Sequence, residues 1–179
     1  MTEFTLYNLE TAPEAAKPLF EESIKAFGMI PNLHAVMAES PELLESYQAA
    51  HTLFQQTSFN ADELTVVWQS INVENNCHYC IPAHTAIAEM MGVDASICES
   101  IKSDTPLTNK KLEALRVTTL AMIRQRGVIT DEEVQHFFDS GYSNKQLLEI
   151  VLGISQKIMS NYTNHLAKTP VDEPFKKYI

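Results

Sequence analysis

The chain has 179 residues, of which 45% are apolar and 20% are charged, as in ordinary globular proteins. Its formal net charge of −10 argues against nucleic acid or an anionic membrane surface as a partner, because phosphate binding needs clustered Lys and Arg. Neither a run of roughly 20 apolar residues nor a basic-then-apolar leader is evident, so we expect a single cytoplasmic domain over residues 1–179.

Helix start and stop signals alternate along the chain and predict an all-α fold, a compact bundle of eight or nine helices. Caps, early prolines and terminal glycines set the expected limits: about Thr11 to Phe27, Ser40 through Phe54, Asn60 toward Asn75, the motif described below to Met91, about Thr108 to Arg126, a helix from Thr130, and Ser143 to about Leu166. The segment from Lys168 to Pro174 is expected to be extended.

Apolar spacing indicates which side chains form the core. Tyr47, Phe54 and Trp68 are expected in the core rather than in a substrate wall. The long last helix carries its apolar side chains at Leu147, Leu148, Val151, Ile154 and Ile158. At the end of this helix, a polar group either satisfies the last carbonyls or lines a pocket or an oligomer interface; its members are Asn161, Asn164 and His165.

The segment from Glu74 to His84 carries most of the chemistry. It places Cys77 and Cys80 three residues apart, with His84 four residues after the second cysteine and Glu74 three residues before the first. The chain has three cysteines, and this small odd number does not suit a structural disulfide framework. The pair is therefore a redox, metal-binding or inert pair.

The position of the next helix favours redox chemistry. Pro82 is tolerated only in the first turn of a helix, so a helix should begin within residues 78–81. Thiols near a helix N-terminus lie where unpaired N–H groups and the helix dipole favour a thiolate. His84 shares a helix face with Cys80 and could take its proton. Such a set can reduce peroxides or exchange disulfides, and neither reaction requires a metal or a flavin.

The pattern Glu74-x-x-Cys77-x-x-Cys80-x-x-x-His84 resembles the alkylhydroperoxidase D-like (AhpD-like) group of the carboxymuconolactone decarboxylase superfamily. The resemblance extends more loosely over residues 30–175, and residues 161–172 resemble the end of a peroxidase-related subgroup. It implies an all-α homo-oligomer that reduces organic hydroperoxides at the expense of a dithiol reductant. It also implies that Cys80 is the peroxidatic thiol, that Cys77 resolves it, and that His84 belongs to a proton relay.

The chain departs from the family pattern at two positions. Thr65 stands where the best-studied members have a relay glutamate, and Glu63 and Glu74 are the candidates to replace that group. Tyr79 stands where those members have a second histidine, and here the histidine is His78, one position earlier.

Two other functions stay open from the sequence. One is a dithiol–disulfide oxidoreductase that serves a protein or a small dithiol. The other is a non-enzymatic module that senses redox state or binds metal. Zinc would need a fourth ligand beyond Cys77, Cys80 and His84, supplied by Cys98 or His78. We expect Cys98 to be a buried small hydrophobic residue.

Overall fold

The computed structural model describes residues 4–179, and within this range the chain is helical, as predicted. No helix in this range has the length and apolar character of a membrane span. The α-helices, in chain order, are α1 (Lys17–Phe27), α2 (Asn32–Met37), α3 (Pro41–Gln55), α4 (Ala61–Glu74), α5 (Cys80–Met90), α6 (Ala95–Lys102), α7 (Lys110–Arg124), α8 (Asp131–Asp139) and α9 (Asn144–Ala167). Short 3-10 helices occupy Glu14–Ala16 and Glu173–Tyr178.

Local signals account for most of these limits. Asn60 and Thr130 form the capping boxes that begin α4 and α8. Gly28 ends α1 with a φ of 72°, in the left-handed region that favours glycine. Two segments differ from expectation: α2 carried no start signal that we recognised, and the C-terminal segment is not extended throughout, because residues 173–178 form a 3-10 turn.

Helix α4 lies at the centre of the fold. Every residue from Glu63 to Asn72 is buried, so this helix has no solvent face over most of its length. It packs against α5, α6, α7 and α9. The CxxC segment follows α4 directly, so the thiol turn starts at the end of this buried helix.

Two apolar clusters form the interior. The larger one surrounds Trp68 and Phe54 of α4 and α3 and includes Phe137 and Ile150. The second cluster contains both motif cysteines, together with apolar side chains from α1, α2 and α3. The expected core residues Tyr47, Phe54 and Trp68 are all buried.

The buried face of α9 coincides only in part with its expected apolar stripe, of which Leu147 and Ile154 pack against the larger cluster. Leu148 and Val151 are 70% and 47% exposed. The buried face is largely polar and consists of Ile150, Gly153, Gln156, Lys157, Ser160, Asn161 and Asn164. The reason is that this face packs against the thiol segment, which supplies polar partners for its side chains.

Candidate active site

A tight turn places the thiols between α4 and α5. Asn76 adopts a φ of 49°, and the amide of Cys77 donates to the carbonyl of Asn72 over 2.9 Å. Helix α5 then begins at Cys80, within the range that Pro82 indicates. The backbone amide of Cys80 donates to the sulfur of Cys77 over 3.3 Å. The CxxC pair therefore stands at a helix N-terminus, as expected from the sequence.

Both thiols are enclosed, with Cys77 fully buried and Cys80 2% exposed. The side-chain amide of Asn164 donates to the sulfur of Cys80 over 3.2 Å and lies 3.9 Å from that of Cys77. A donor aimed at sulfur stabilises the thiolate. Of the two interpretations of the polar end of α9, the structure favours the pocket lining for Asn164.

The two thiols differ in acidity. Burial alone would raise the pKa of Cys80, but the hydrogen bond with Cys77 and the positive charge of Lys157 outweigh it, and the pKa falls to about 5. The pKa of Cys77 moves upward, because its hydrogen bond with Cys80 and its burial both favour the thiol form. The surroundings of the pair therefore favour the thiolate at Cys80 over the thiolate at Cys77.

Lys157 is the residue that our interpretation of the sequence missed. It lies on the buried face of α9, has no exposed surface, and places Nζ 2.9 Å from Nε2 of His84. Burial lowers the pKa of Lys157, while the thiols of Cys80 and Cys77 act in the opposite direction. One signal could have revealed it: Lys157 is in helical phase with Ile150 and Gly153, the small and apolar residues that pack inward.

His84 faces Lys157 from α5. Burial and the neighbouring Lys157 charge hold the pKa of His84 well below its ordinary value, so its ring is neutral. Its neutral Nε2 can accept a hydrogen bond from the Lys157 ammonium. The other face of the site is aromatic, with the ring of Trp68 at 4.8 Å from that of His84 and the ring of His51 stacked on Trp68 at 5.4 Å.

Hydrogen bonds among asparagine side chains connect the thiol segment to α4 and α9. Asn161 donates to Asn72 over 3.1 Å and accepts from Asn75 over 2.8 Å. Asn72 donates in turn to the carbonyl of Cys80 over 3.3 Å. These side chains fix the position of the first turn of α5 relative to α9.

The end of the chain covers the site, and we call residues 169–178 the C-terminal strap. His78 donates its Nε2–H to the carbonyl of Thr169 over 2.9 Å. The hydroxyl of Tyr79 donates to Asp172, and the rings of Tyr79 and Phe175 make an edge contact at 6.5 Å. The two residues between the cysteines are thus held by the strap.

The predicted carboxylates do not meet the thiols. The carboxylate of Glu74 forms a bidentate ion pair with the guanidinium of Arg124, with N–O distances of 2.9 and 2.7 Å. Glu63 serves the capping box of α4 and pairs with Lys111 at 3.2 Å. Thr65 is buried and contributes no charge. The structure thus places Cys80 against Cys77 and His84 against Lys157, while Glu74 pairs with Arg124.

The structure offers no ready ligand set for zinc. Within residues 4–179, no three side chains of His, Cys, Asp or Glu are grouped closely enough to hold a metal ion. Cys98 is buried on α6, where its sulfur lies 3.9 Å from the amide of Gln69.

The fold has several known counterparts among solved structures. An uncharacterized peroxidase-related protein from Ralstonia eutropha, described as an alkylhydroperoxidase AhpD core, matches with a TM-score of 0.82 at 16% identity, over 98% of this chain and 96% of that one. A peroxidase-related protein from Silicibacter sp. matches with a TM-score of 0.80 at 18% identity, over 97% and 95%. The protein has the AhpD-like fold.

A third structure extends the range of chemistry associated with this fold. The debrominase Bmp8, solved with 2,3,4-tribromopyrrole, matches with a TM-score of 0.82 at 15% identity, over 99% of this chain and 96% of that one. No family model matches the sequence, and no curated protein matches it. The AhpD-like fold is therefore established by structure rather than by sequence similarity.

Proposed function

We propose that this protein is a thiol-dependent peroxidase that reduces organic hydroperoxides through a Cys77–Cys80 dithiol/disulfide cycle. The observation that carries the proposal is the asymmetry of the pair. Asn164 and Lys157 favour a thiolate at Cys80, while Cys77 remains a thiol next to it. A peroxidase needs this combination of a nucleophile and a resolving partner.

In the first step, the Cys80 thiolate attacks the terminal oxygen of the hydroperoxide. The S–O bond forms and the O–O bond breaks, so that sulfur is oxidised to a sulfenic acid and the peroxide is reduced to an alkoxide. The alkoxide leaves as the alcohol after it takes up a proton. The Asn164 amide, which already donates to this sulfur, holds it in place.

In the second step, Cys77 attacks the sulfenic sulfur. The S–S bond forms, the S–O bond breaks, and the hydroxyl leaves as water with the proton of the Cys77 thiol. An external dithiol then reduces the disulfide by exchange and is itself oxidised to a disulfide. The cycle needs an organic hydroperoxide and a dithiol reductant as partners, and no bound cofactor takes part in it.

The test mixes fully reduced protein with cumene hydroperoxide and counts free thiols over time. Loss of two thiols per chain, followed by continued peroxide consumption when a dithiol is added, would support the cycle. If the hydroperoxide removes no thiols while a small disulfide oxidises the reduced protein and a dithiol restores it, the proposal fails and the oxidoreductase alternative replaces it.

The same assay should include 2,3,4-tribromopyrrole, because a debrominase shares this fold. A thiolate can also attack an electrophilic bromine, so that the S–Br bond forms, the C–Br bond breaks and the pyrrole carbon takes up a proton. The resolving thiol then attacks this sulfur, and the disulfide forms as bromide and the thiol proton are released. Bromide release without peroxide consumption would assign the thiol pair to dehalogenation.

We also propose that the protein forms a homo-oligomer. The outer face of α9 exposes apolar side chains at helical spacing, among them Leu148, Val151 and Leu166. Light scattering coupled to size exclusion would show whether the wild type exceeds the monomer mass and whether Leu148→Glu reduces it.

A further inference from the structure

Lys157 is a fully buried cation without a carboxylate partner. Among residues 4–179, the ion pairs formed with Asp and Glu do not include Lys157, whose Nζ contacts His84 at 2.9 Å. The acidic residues of α4 lie in its first and last turns, where Glu63 pairs with Lys111 and Glu74 with Arg124. A buried ammonium is strongly unfavourable unless an anion compensates it.

The anion that the site offers is a thiolate. The Nζ of Lys157 contacts His84, which lies one helical turn after Cys80 on α5, and positions four residues apart share a helix face. The charges of Lys157 and Cys80 also act on each other's pKa. The titratable groups around Lys157 are Cys77, Cys80 and His84 from the thiol segment and α5, and His51 and Tyr47 from α3. Burial lowers the pKa of both histidines and raises that of Tyr47, so all three are neutral at neutral pH.

We infer that Lys157 is the acid–base partner of Cys80, as counter-ion of its thiolate and as the donor of the proton that the leaving alkoxide takes up. This inference rests on the proposed peroxidase function. The contact with His84 orients the Lys157 ammonium, and Lys157 supplies the proton-transfer group at a site where Thr65 provides no carboxylate.

The protons balance over the whole cycle. The reduced site holds a Cys77 thiol, a Cys80 thiolate and a Lys157 ammonium. During attack on the hydroperoxide, Lys157 gives its proton to the alkoxide and becomes an amine. Formation of the disulfide then releases water with the proton of Cys77. When a dithiol donates two electrons and two protons, Cys77 and Lys157 each recover a proton and Cys80 returns to the thiolate.

This cycle keeps the buried site electroneutral in both redox states. In the reduced state the ammonium compensates the thiolate, and in the oxidised state neither charge exists. An ammonium beside a neutral disulfide would be an unpaired charge in the core, which is strongly disfavoured. The protonation state of Lys157 is therefore coupled to the oxidation state of the thiols.

The test compares Lys157→Met and Lys157→Arg with Lys145→Met, which removes an exposed lysine from the same helix. The readouts are the rate of thiol alkylation at neutral pH, the ultraviolet absorbance of the thiolate as a function of pH, and the rate of a single oxidation by cumene hydroperoxide. Lys157→Met should lower the rate of Cys80 alkylation at neutral pH by about tenfold or more, because the thiolate is the reactive form. Lys145→Met should match the wild type.

Lys157→Arg separates the two roles. Arginine keeps the positive charge but does not release a proton, so the thiolate should persist while oxidation by the hydroperoxide slows by about tenfold or more. A wild-type thiolate titration in Lys157→Met, or wild-type oxidation in Lys157→Arg, would overturn the inference.

A measurement on the wild-type protein tests the inference even if the variants do not fold. In protein labelled with ¹³C-lysine, the Cε signal of Lys157 should move from its ammonium to its amine position at neutral pH when the disulfide forms. An ammonium signal in both redox states contradicts the inference. If the coupling is present but the wild type consumes no hydroperoxide, the ion pair stands and the peroxidase proposal is the part that fails.

Discussion

Tyr79 donates its hydroxyl to the carboxylate of Asp172, 93 residues further along the chain. The other oxygen of this carboxylate accepts from the backbone amide of Asn32 at the start of α2, over 3.0 Å. A single buried carboxylate therefore ties the CxxC segment, α2 and the C-terminal strap together. Because both thiols are enclosed, a hydroperoxide or a reductant can reach them only after surrounding residues move, and we expect this cover to be the part that does.

Removal of the Tyr79 hydroxyl should loosen the cover. In Tyr79→Phe the carboxylate of Asp172 loses a buried donor, which costs about 1–3 kcal/mol of unfolding free energy. We expect iodoacetamide to modify the thiols several-fold faster than in the wild type. Tyr178→Phe is the matched control, because its hydroxyl donates to the exposed Glu89 on the outer part of the strap. Equal alkylation rates in Tyr79→Phe and the wild type would show that the strap does not limit access.

The two cysteines should fail in different ways. Cys80→Ser should consume no hydroperoxide, because it lacks the thiolate that attacks oxygen. Cys77→Ser should undergo one oxidation to a sulfenic acid, which dimedone traps and mass spectrometry detects. Cys98→Ser, which alters a buried thiol on α6, should complete the full cycle. Equal residual turnover in the two motif variants would contradict the assigned roles.

The acidity of Cys80 should appear in the pH dependence of its alkylation. Its pKa of about 5 means that the thiolate forms as the pH rises through this value. The alkylation rate should therefore rise from acid pH and be flat above about pH 6, one unit higher. Cys77→Ala removes the hydrogen bond that lowers this pKa, so the midpoint should move to higher pH. A wild-type midpoint near that of a free cysteine, about 8.5, would refute the thiolate.

Gly153 marks the closest approach of α9 to the larger core. A Cβ at this position would lie 2.8 Å from Phe54 and 2.9 Å from Val67, so Gly153→Ala must displace packed side chains. We expect a loss of about 1–3 kcal/mol in unfolding free energy, measured by urea denaturation. Ser155→Ala, on the exposed side of the same helix, should change little. A stabilised Gly153→Ala would mean that helix propensity outweighs the steric conflict.

The positions of the two motif cysteines and His84 could be predicted from the sequence, because they depend on local spacing. Cys77, Cys80 and His84 belong to one turn and one helix, so positions three and four residues apart decide their geometry. The predicted helix start at the second cysteine is confirmed by the structure, and the catalytic roles of the three residues stay a prediction.

Glu74 shows the limit of spacing arguments. It lies only three residues from Cys77, but the left-handed turn at Asn76 separates the two side chains, and Glu74 pairs with Arg124 from α7 instead. Its role in the relay stays a prediction that this geometry does not favour.

Lys157 could not be found from local spacing at all. It lies 77 residues after Cys80, on a helix whose expected apolar stripe matches the buried face only in part. Tertiary contacts decide which face of α9 is buried. Amide and lysine side chains are interior residues there because polar groups and thiols lie opposite them. Such long-range pairing is visible only in the folded chain.

The position of Trp68 makes it an intrinsic fluorescence probe of the site. Trp68 is the only tryptophan in the chain, and its indole lies against His84 while its N–H donates to Gln156, the neighbour of Lys157. Indole emission responds to charges and thiols within a few ångströms. We therefore expect oxidation of the thiols to change the emission of the unlabelled wild type, in which no second tryptophan contributes to the signal.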